Sequence, residues 1–179
     1  MPYLVNRPYD ITHAEQRARY NAYRWYVESS RKLLPALALE FALADWHYDP
    51  SDHRCPHDAW VECLSIIEPA TGERHERRSL DIRLELISAH HDGRIRITYP
   101  GVRRYSLFQP GEHTPVPAEA RGHGDWLVDE VSPSDNSRPE QPLVIHEIIF
   151  SRHGVWTIES EDIRYEWLAR RESGEVVEQ

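Results

Sequence analysis

The stretch Leu80-Asp81-Ile82-Arg83-Leu84-Glu85-Leu86-Ile87-Ser88-Ala89-His90-His91-Asp92-Gly93-Arg94-Ile95-Arg96-Ile97-Thr98-Tyr99 decides the fold. Apolar residues recur at every second position: Leu80, Ile82, Leu84 and Leu86, then Ile95, Ile97 and Tyr99. Asp81, Arg83, Glu85, Arg94 and Arg96 fall between them. Successive side chains of a strand point to opposite faces, so this period describes strands with one buried face and one wet face. Asp92-Gly93 separates the runs, and that dipeptide suits the positive-φ positions of a two-residue hairpin turn. Counting outward from it pairs His91 with Arg94, Ser88 with Ile97 and Leu86 with Tyr99. The expected product is an antiparallel hairpin.

Working outward, further strands are expected over residues 58–67, 102–108, 126–131, 143–150, 155–158 and 163–167, rich in β-branched and aromatic residues. Upstream, Thr12 followed by Glu15 forms a capping box. Ala14, Ala18, Ala22, Trp25 and Ser29 then make one helical stripe, so a helix is predicted over residues 13–33, ended by Pro35. Leu37, Leu39, Phe41 and Leu43 alternate with Ala36, Ala38, Glu40 and Ala42, which predicts a strand against the good helix propensity of Ala and Leu. No crossover helix appears after residue 35, which excludes a parallel sheet. The reading is a mainly β (α+β) chain: an antiparallel sandwich or half-open barrel of about nine strands with one N-terminal helix. It is a single domain over residues 1–179, with a helix at 13–33, a β-rich body at 36–169 and a tail at 170–179. The stretches 109–124 and 132–142 are long loops, of the length that is usually functional or mobile.

A chain of 179 residues and 21.0 kDa is long enough to bury a core without staples. Its net charge of −9 disfavours nucleic acid as a partner. That charge is uneven, because residues 1–35 hold six basic groups against three acids while the remainder carries −12. No apolar run reaches the length of a membrane span, and the first residues lack the pattern of a signal peptide, so a cytoplasmic location is expected. Cys55 and Cys63 are too few for a disulfide framework and are expected to stay reduced.

The densest cluster of chemical side chains lies between residues 45 and 63. His47, His53, Cys55, His57 and Cys63 are residue types that bind zinc, and the alternate spacing of His53, Cys55 and His57 could present them on one side of an extended segment. No paired C-x-x-C or H-x-x-x-H accompanies them, so no metal or other cofactor is expected. The alternative is a zinc site using His47, His53, Cys55 and His57; without metal, these residues cap turns and Cys63 enters the core. His146-Glu147 lacks the second histidine of a zincin motif, and His146 shares a strand face with Val144, Ile148 and Phe150 as a core histidine. His57-Asp58 opens a strand, which separates it from the helical HD phosphohydrolases. Asp125 and Asp129 share a face of their strand and Glu130 points the other way, the pattern of solvated acids rather than of a glycosidase pair.

No complete catalytic set is present, and the chain reads as non-enzymatic. One alternative is a small-molecule binder or enzyme with a cavity inside the barrel beneath the 109–124 loop, lined by His90, Tyr99, Trp126 and His146. Helix residues Arg17, Arg19, Arg24, Arg31 and Lys32 interleave with Tyr20, Tyr23, Trp25 and Tyr26, a pattern shared by stacking platforms for single strands and by ordinary amphipathic helices.

The run Pro56-His57-Asp58-Ala59-Trp60-Val61-Glu62 resembles the "HDA/HDS" strand start of several small bacterial β-rich families. Some of these are immunity proteins of polymorphic toxin systems, which neutralise a toxin by binding it. The resemblance implies a protein-binding role, and the acidic charge suits a basic partner. It carries no site residue with it.

Overall fold

The computed structural model describes residues 3–5, 12–110 and 122–169. Two helices precede the strands: α1 (His13–Ser29) and α2 (Ala36–Leu43), with a 3-10 turn, Arg31–Leu33, between them. One sheet holds β1 (Trp60–Ile67), β4 (Asp81–Ile87), β5 (Gly93–Tyr99) and β10 (Arg164–Ala169), in the order β1-β4-β5-β10. The other holds β6 (Arg104–Phe108), β7 (Trp126–Pro133), β8 (Val144–Phe150) and β9 (Val155–Ser160), in the order β6-β9-β8-β7. A small hairpin, β2 (Ala70–Thr71) with β3 (Arg77–Arg78), stands between β1 and β4. All pairings are antiparallel, and the architecture is an open α+β sandwich rather than a closed barrel.

The two sheets are stitched at opposite corners. At one, the chain leaves β5 through residues 100–103 and returns from β9 through Glu161, with Val102 N–H donating to Leu80 C=O at 2.6 Å and Glu161 N–H to Pro100 C=O at 3.0 Å. At the other, Trp126 N–H donates to Ala59 C=O at 3.0 Å and Asp58 N–H to Trp126 C=O at 2.8 Å, so β1 and β7 begin side by side. Between them the inner faces bury Ile82, Leu84, Leu86, Ile95, Ile97 and Tyr99 against Trp126, Val144, Ile148, Phe150, Trp156 and Ile158. The core face expected of β4 and β5 is therefore the observed one.

Three expectations are corrected. Ile87 pairs with Arg94, Leu84 with Ile97 and Ile82 with Tyr99, so the β4–β5 register is displaced from one closed at Asp92-Gly93. The turn runs through Ser88 to Asp92, with His91 at φ 58° and its N–H donating to Ser88 C=O at 3.0 Å. The displacement is an even number of residues, which preserves the buried face. Gly93 is needed for space: a Cβ there would lie 2.5 Å from the Trp167 ring on β10. Second, Ala36–Leu43 is helix and not strand. It buries Ala38, Phe41 and Ala42, positions spaced as one helical face, and packs against β10 and β7. Third, the N-terminal helix stops at Ser29 and the chain continues as a separate 3-10 turn. The Thr12–Glu15 capping box is formed. Residues 111–121 of the long loop and the 170–179 tail lie outside the described residues.

An open sheet edge presents unpaired backbone groups, and natural proteins cover or blunt it. Helix α1 covers the free edge of β7. The buried Tyr23 hydroxyl accepts from Val131 N–H at 2.9 Å and lies 3.2 Å from Val131 C=O, to which it donates. Tyr48 Oη donates to Asp129 C=O at 3.3 Å on the same edge. Glu130 gathers the backbone N–H groups of Tyr3 and Leu4, both at 2.8 Å, tying the N-terminal segment to the same strand. Replacing Tyr23 by Phe would leave two buried backbone groups of Val131 without partners, at a cost of about 1–3 kcal/mol. Urea unfolding of Tyr23→Phe is expected to show that loss with native secondary structure retained; unchanged stability would mean that the β7 edge does not depend on α1.

Candidate functional site

Three segments that meet at the start of β7 enclose a cleft of about 610 Å³. Helix α1 supplies His13, Gln16, Arg17, Arg19 and Tyr20; residues 45–57 supply Asp45, His47, Tyr48 and His57; β7 supplies Trp126 to Asp129. Tyr3 and Leu4 close one side. His13, Arg17 and Tyr20 recur at helical spacing, so one stripe of α1 forms a wall. Tyr20 and Tyr48 pack edge to face at 5.2 Å, and His47 stacks on Tyr48 at 4.1 Å. The volume and the aromatic walls are those of a small-molecule site.

The floor is a buried polar network. Strand β7 carries an irregularity between Trp126 and Val128. A bulge inserts an extra residue and shifts the alternation, so Trp126 and Asp129 both face inward although three positions apart. This corrects the shared face expected for Asp125 and Asp129. Asp125 instead sits at the corner, where Trp60 Nε1–H donates to it at 2.8 Å. The Asp129 carboxylate accepts from Trp126 Nε1–H at 3.0 Å and contacts His47 Nε2 at 2.9 Å and His146 Nε2 at 2.9 Å. His47 Nδ1 lies 2.8 Å from Phe41 C=O, which can only accept. Nδ1 therefore donates to that carbonyl, and Nε2 faces the Asp129 carboxylate. His146 completes the chain through Nδ1, 2.8 Å from the buried Tyr99 hydroxyl. Burial opposes ionisation of Asp129, but the charge of His47 and the hydrogen bonds of His146 and His47 outweigh it and hold the carboxyl well below its usual range.

Chemically, this floor positions rather than reacts. Both ring nitrogens of His47 and of His146 are engaged, so neither offers a lone pair to the cleft. Cys55 donates to His47 C=O at 3.0 Å, and burial pushes its thiol up to about 12, far from the thiolate a nucleophile needs.

The structure separates the zinc candidates. His47 belongs to the floor, His53 pairs with Asp92 and stacks on His90 at 4.0 Å, and Cys55 is committed to the His47 carbonyl. His57 Nδ1 is buried without a hydrogen-bond partner, 3.2 Å from Asp58 Oδ1. Cys63 is exposed on β1 and not in the core. Among the described residues no group of three His, Cys, Asp or Glu side chains is arranged to hold a metal ion. Of the cavity candidates, Tyr99, Trp126 and His146 do meet around Asp129, in the core face as His146 was expected to be. His90 does not; it sits at the β4–β5 turn, 3.4 Å from Pro50 C=O. The cleft lies beside the sandwich under α1, and not within a barrel. Sequence reasoning missed Asp129 as a buried group, Tyr48, and the α1 stripe of the cleft. A β-bulge leaves no regular period to read, and Asp129 and His47 are 82 residues apart.

Asp129→Asn removes the negative charge opposite His47, and breaking a buried pair in this way costs about 3–5 kcal/mol. Because the carboxyl is held below its ordinary 3.8, its stabilisation is fully present above that pH and is lost as the pH falls further. The stability gap between wild type and Asp129→Asn, read by urea unfolding, is expected to be constant at neutral pH and to shrink on acidification below 3.8. A gap independent of pH would contradict the ion-pair assignment.

Among the described residues no helix is long and apolar enough to cross a membrane. Neither the family models nor the curated proteins searched contain a match to the chain.

Proposed function

We propose that this chain is a non-enzymatic binding domain that takes a small ligand in the cleft between α1, residues 45–57 and β7. The observation that carries this reading is the cleft itself: about 610 Å³, walled by Tyr20 and Tyr48 and floored by a satisfied polar network. Ligand sites typically measure ~300–1,000 Å³ and combine apolar walls with a few placed polar groups. Binding is favoured over catalysis because the floor groups spend their donors and acceptors on one another. Val128 lines the cleft and is half-buried, so Val128→Trp adds bulk into the space with little change to the sheet. In a thermal-shift and ligand-observed NMR screen of aromatic fragments, wild type is expected to bind a subset that Val128→Trp loses while its circular dichroism stays native. Equal binding by both would place the ligands elsewhere and reject the cleft.

A second reading, an immunity-like domain that binds another protein, draws support from β1. This outer strand exposes Trp60, Ile66 and Ile67 at 47%, 46% and 42%. Aromatic and aliphatic side chains on an outer strand suit strand addition by a partner. The net charge of −9 favours a basic partner and a salt-dependent association rate. Ile67→Lys is expected to abolish salt-sensitive capture of such a partner in extracts of the native host; capture unaffected by that change, or by salt, would count against this reading.

A further inference from the structure

The charges on the cleft wall point to the class of ligand. The chain as a whole is strongly acidic, yet residues 1–35 carry an excess of basic groups, and α1 brings part of that excess to the cleft. His13, Arg17 and Arg19 line it from the helix, and His57 from the opposite loop. The two carboxylates among the described lining residues are already engaged. Asp129 is enclosed by Trp126, His47 and His146, and Asp45 pairs with Arg24 at 3.2 Å. Arg17 is exposed and has no ion-pair partner among the described residues. It lies one helical turn before Tyr20, whose ring packs against Tyr48 at the aromatic end of the cleft.

Resting on the cleft reading above, we infer that the ligand is a small organic anion: a carboxylate or phosphate head held by Arg17 at the α1 wall, with a flat apolar body against Tyr20 and Tyr48. An arginine offers two parallel N–H donors to such a head, the geometry that carboxylates and phosphates match. The aromatic walls contribute contact area, and the compensated floor keeps the buried Asp129 charge from repelling an anion. A cationic ligand would have to compete with Arg24 for Asp45, the one exposed carboxylate among the described lining residues.

The test uses the full chain and a matched fragment set: aromatic carboxylates, aryl phosphates, the amides of the same carboxylates, and the corresponding amines. Amide chemical-shift changes at the cleft residues and dissociation constants are read for wild type, Arg17→Gln and the control Arg31→Gln, which lies outside the cleft. The acids and phosphates are expected to bind about tenfold more tightly than their amides, with that advantage lost in Arg17→Gln, unaltered in Arg31→Gln, and reduced by added salt. Carboxylates without phosphates, or the reverse, would name the head group. Acids and amides binding equally, with Arg17→Gln silent, would overturn the anion assignment while leaving the cleft as a binding site. Preferential binding of the amines would also overturn it. No shift at the cleft with any class would reject the cleft reading itself and this inference with it.

Discussion

Asp129 is the constraint on which the rest of the molecule depends. A carboxylate withdrawn from water is tolerated only where charge and hydrogen bonds replace its hydration. Its direct partners come from three places in the chain, Trp126 on the same strand, His146 on β8 and His47 after α2, and the two histidines extend the network to Tyr99 on β5 and the Phe41 carbonyl on α2. One side chain thereby ties both sheets to α2. The Phe41 ring reinforces this junction, 4.0 Å from His47 and 5.6 Å from both His146 and Tyr165. Such a network specifies one arrangement, since any displacement strands a buried charge.

The same junction organises the cleft. Residues 44–57 are drawn down by His47 at one end and held at the other by the Arg54 carbonyl, which accepts from Tyr165 Oη at 2.6 Å. Helix α1 is drawn over them by Tyr23, whose hydroxyl closes the open edge of β7. The space left between helix, loop and strand is the cleft, so a structural need, covering an edge, creates the surface on which a ligand can rest. The bulge that aims Asp129 inward also leaves Leu127 and Val128 lining that space.

Much of the scaffold was legible residue by residue. The period-two runs identified the buried faces of β4 and β5 correctly, and His146 was read as a core histidine from its neighbours Val144, Ile148 and Phe150. Asp92-Gly93 does lie at the β4–β5 turn but does not close it in the expected register, because both residues serve contacts that pattern cannot reveal. Asp92 binds Ser88 and His53, and Gly93 makes room for Trp167. The alternating leucines after Pro35 read equally as strand or helix, and packing against β10 and β7 decided for helix. In the candidate site, the fold brings Tyr99, Trp126 and His146 together around Asp129, an acid whose local pattern is that of a solvated one.

By itself, the sequence determined what depends on neighbours a few positions away: which strand faces are apolar, where the α1 capping box starts a helix, and which segments turn. Tertiary structure alone decided which strands pair and in what register, that β7 bulges, and that His47 meets a carboxylate far along the chain. The division has a physical cause. Periodicity and capping are satisfied by a residue's own backbone and its near neighbours, so their signature is local. A buried charge, a closed strand edge and a cleft are satisfied only by groups that the fold brings from elsewhere, and no window of sequence contains both partners.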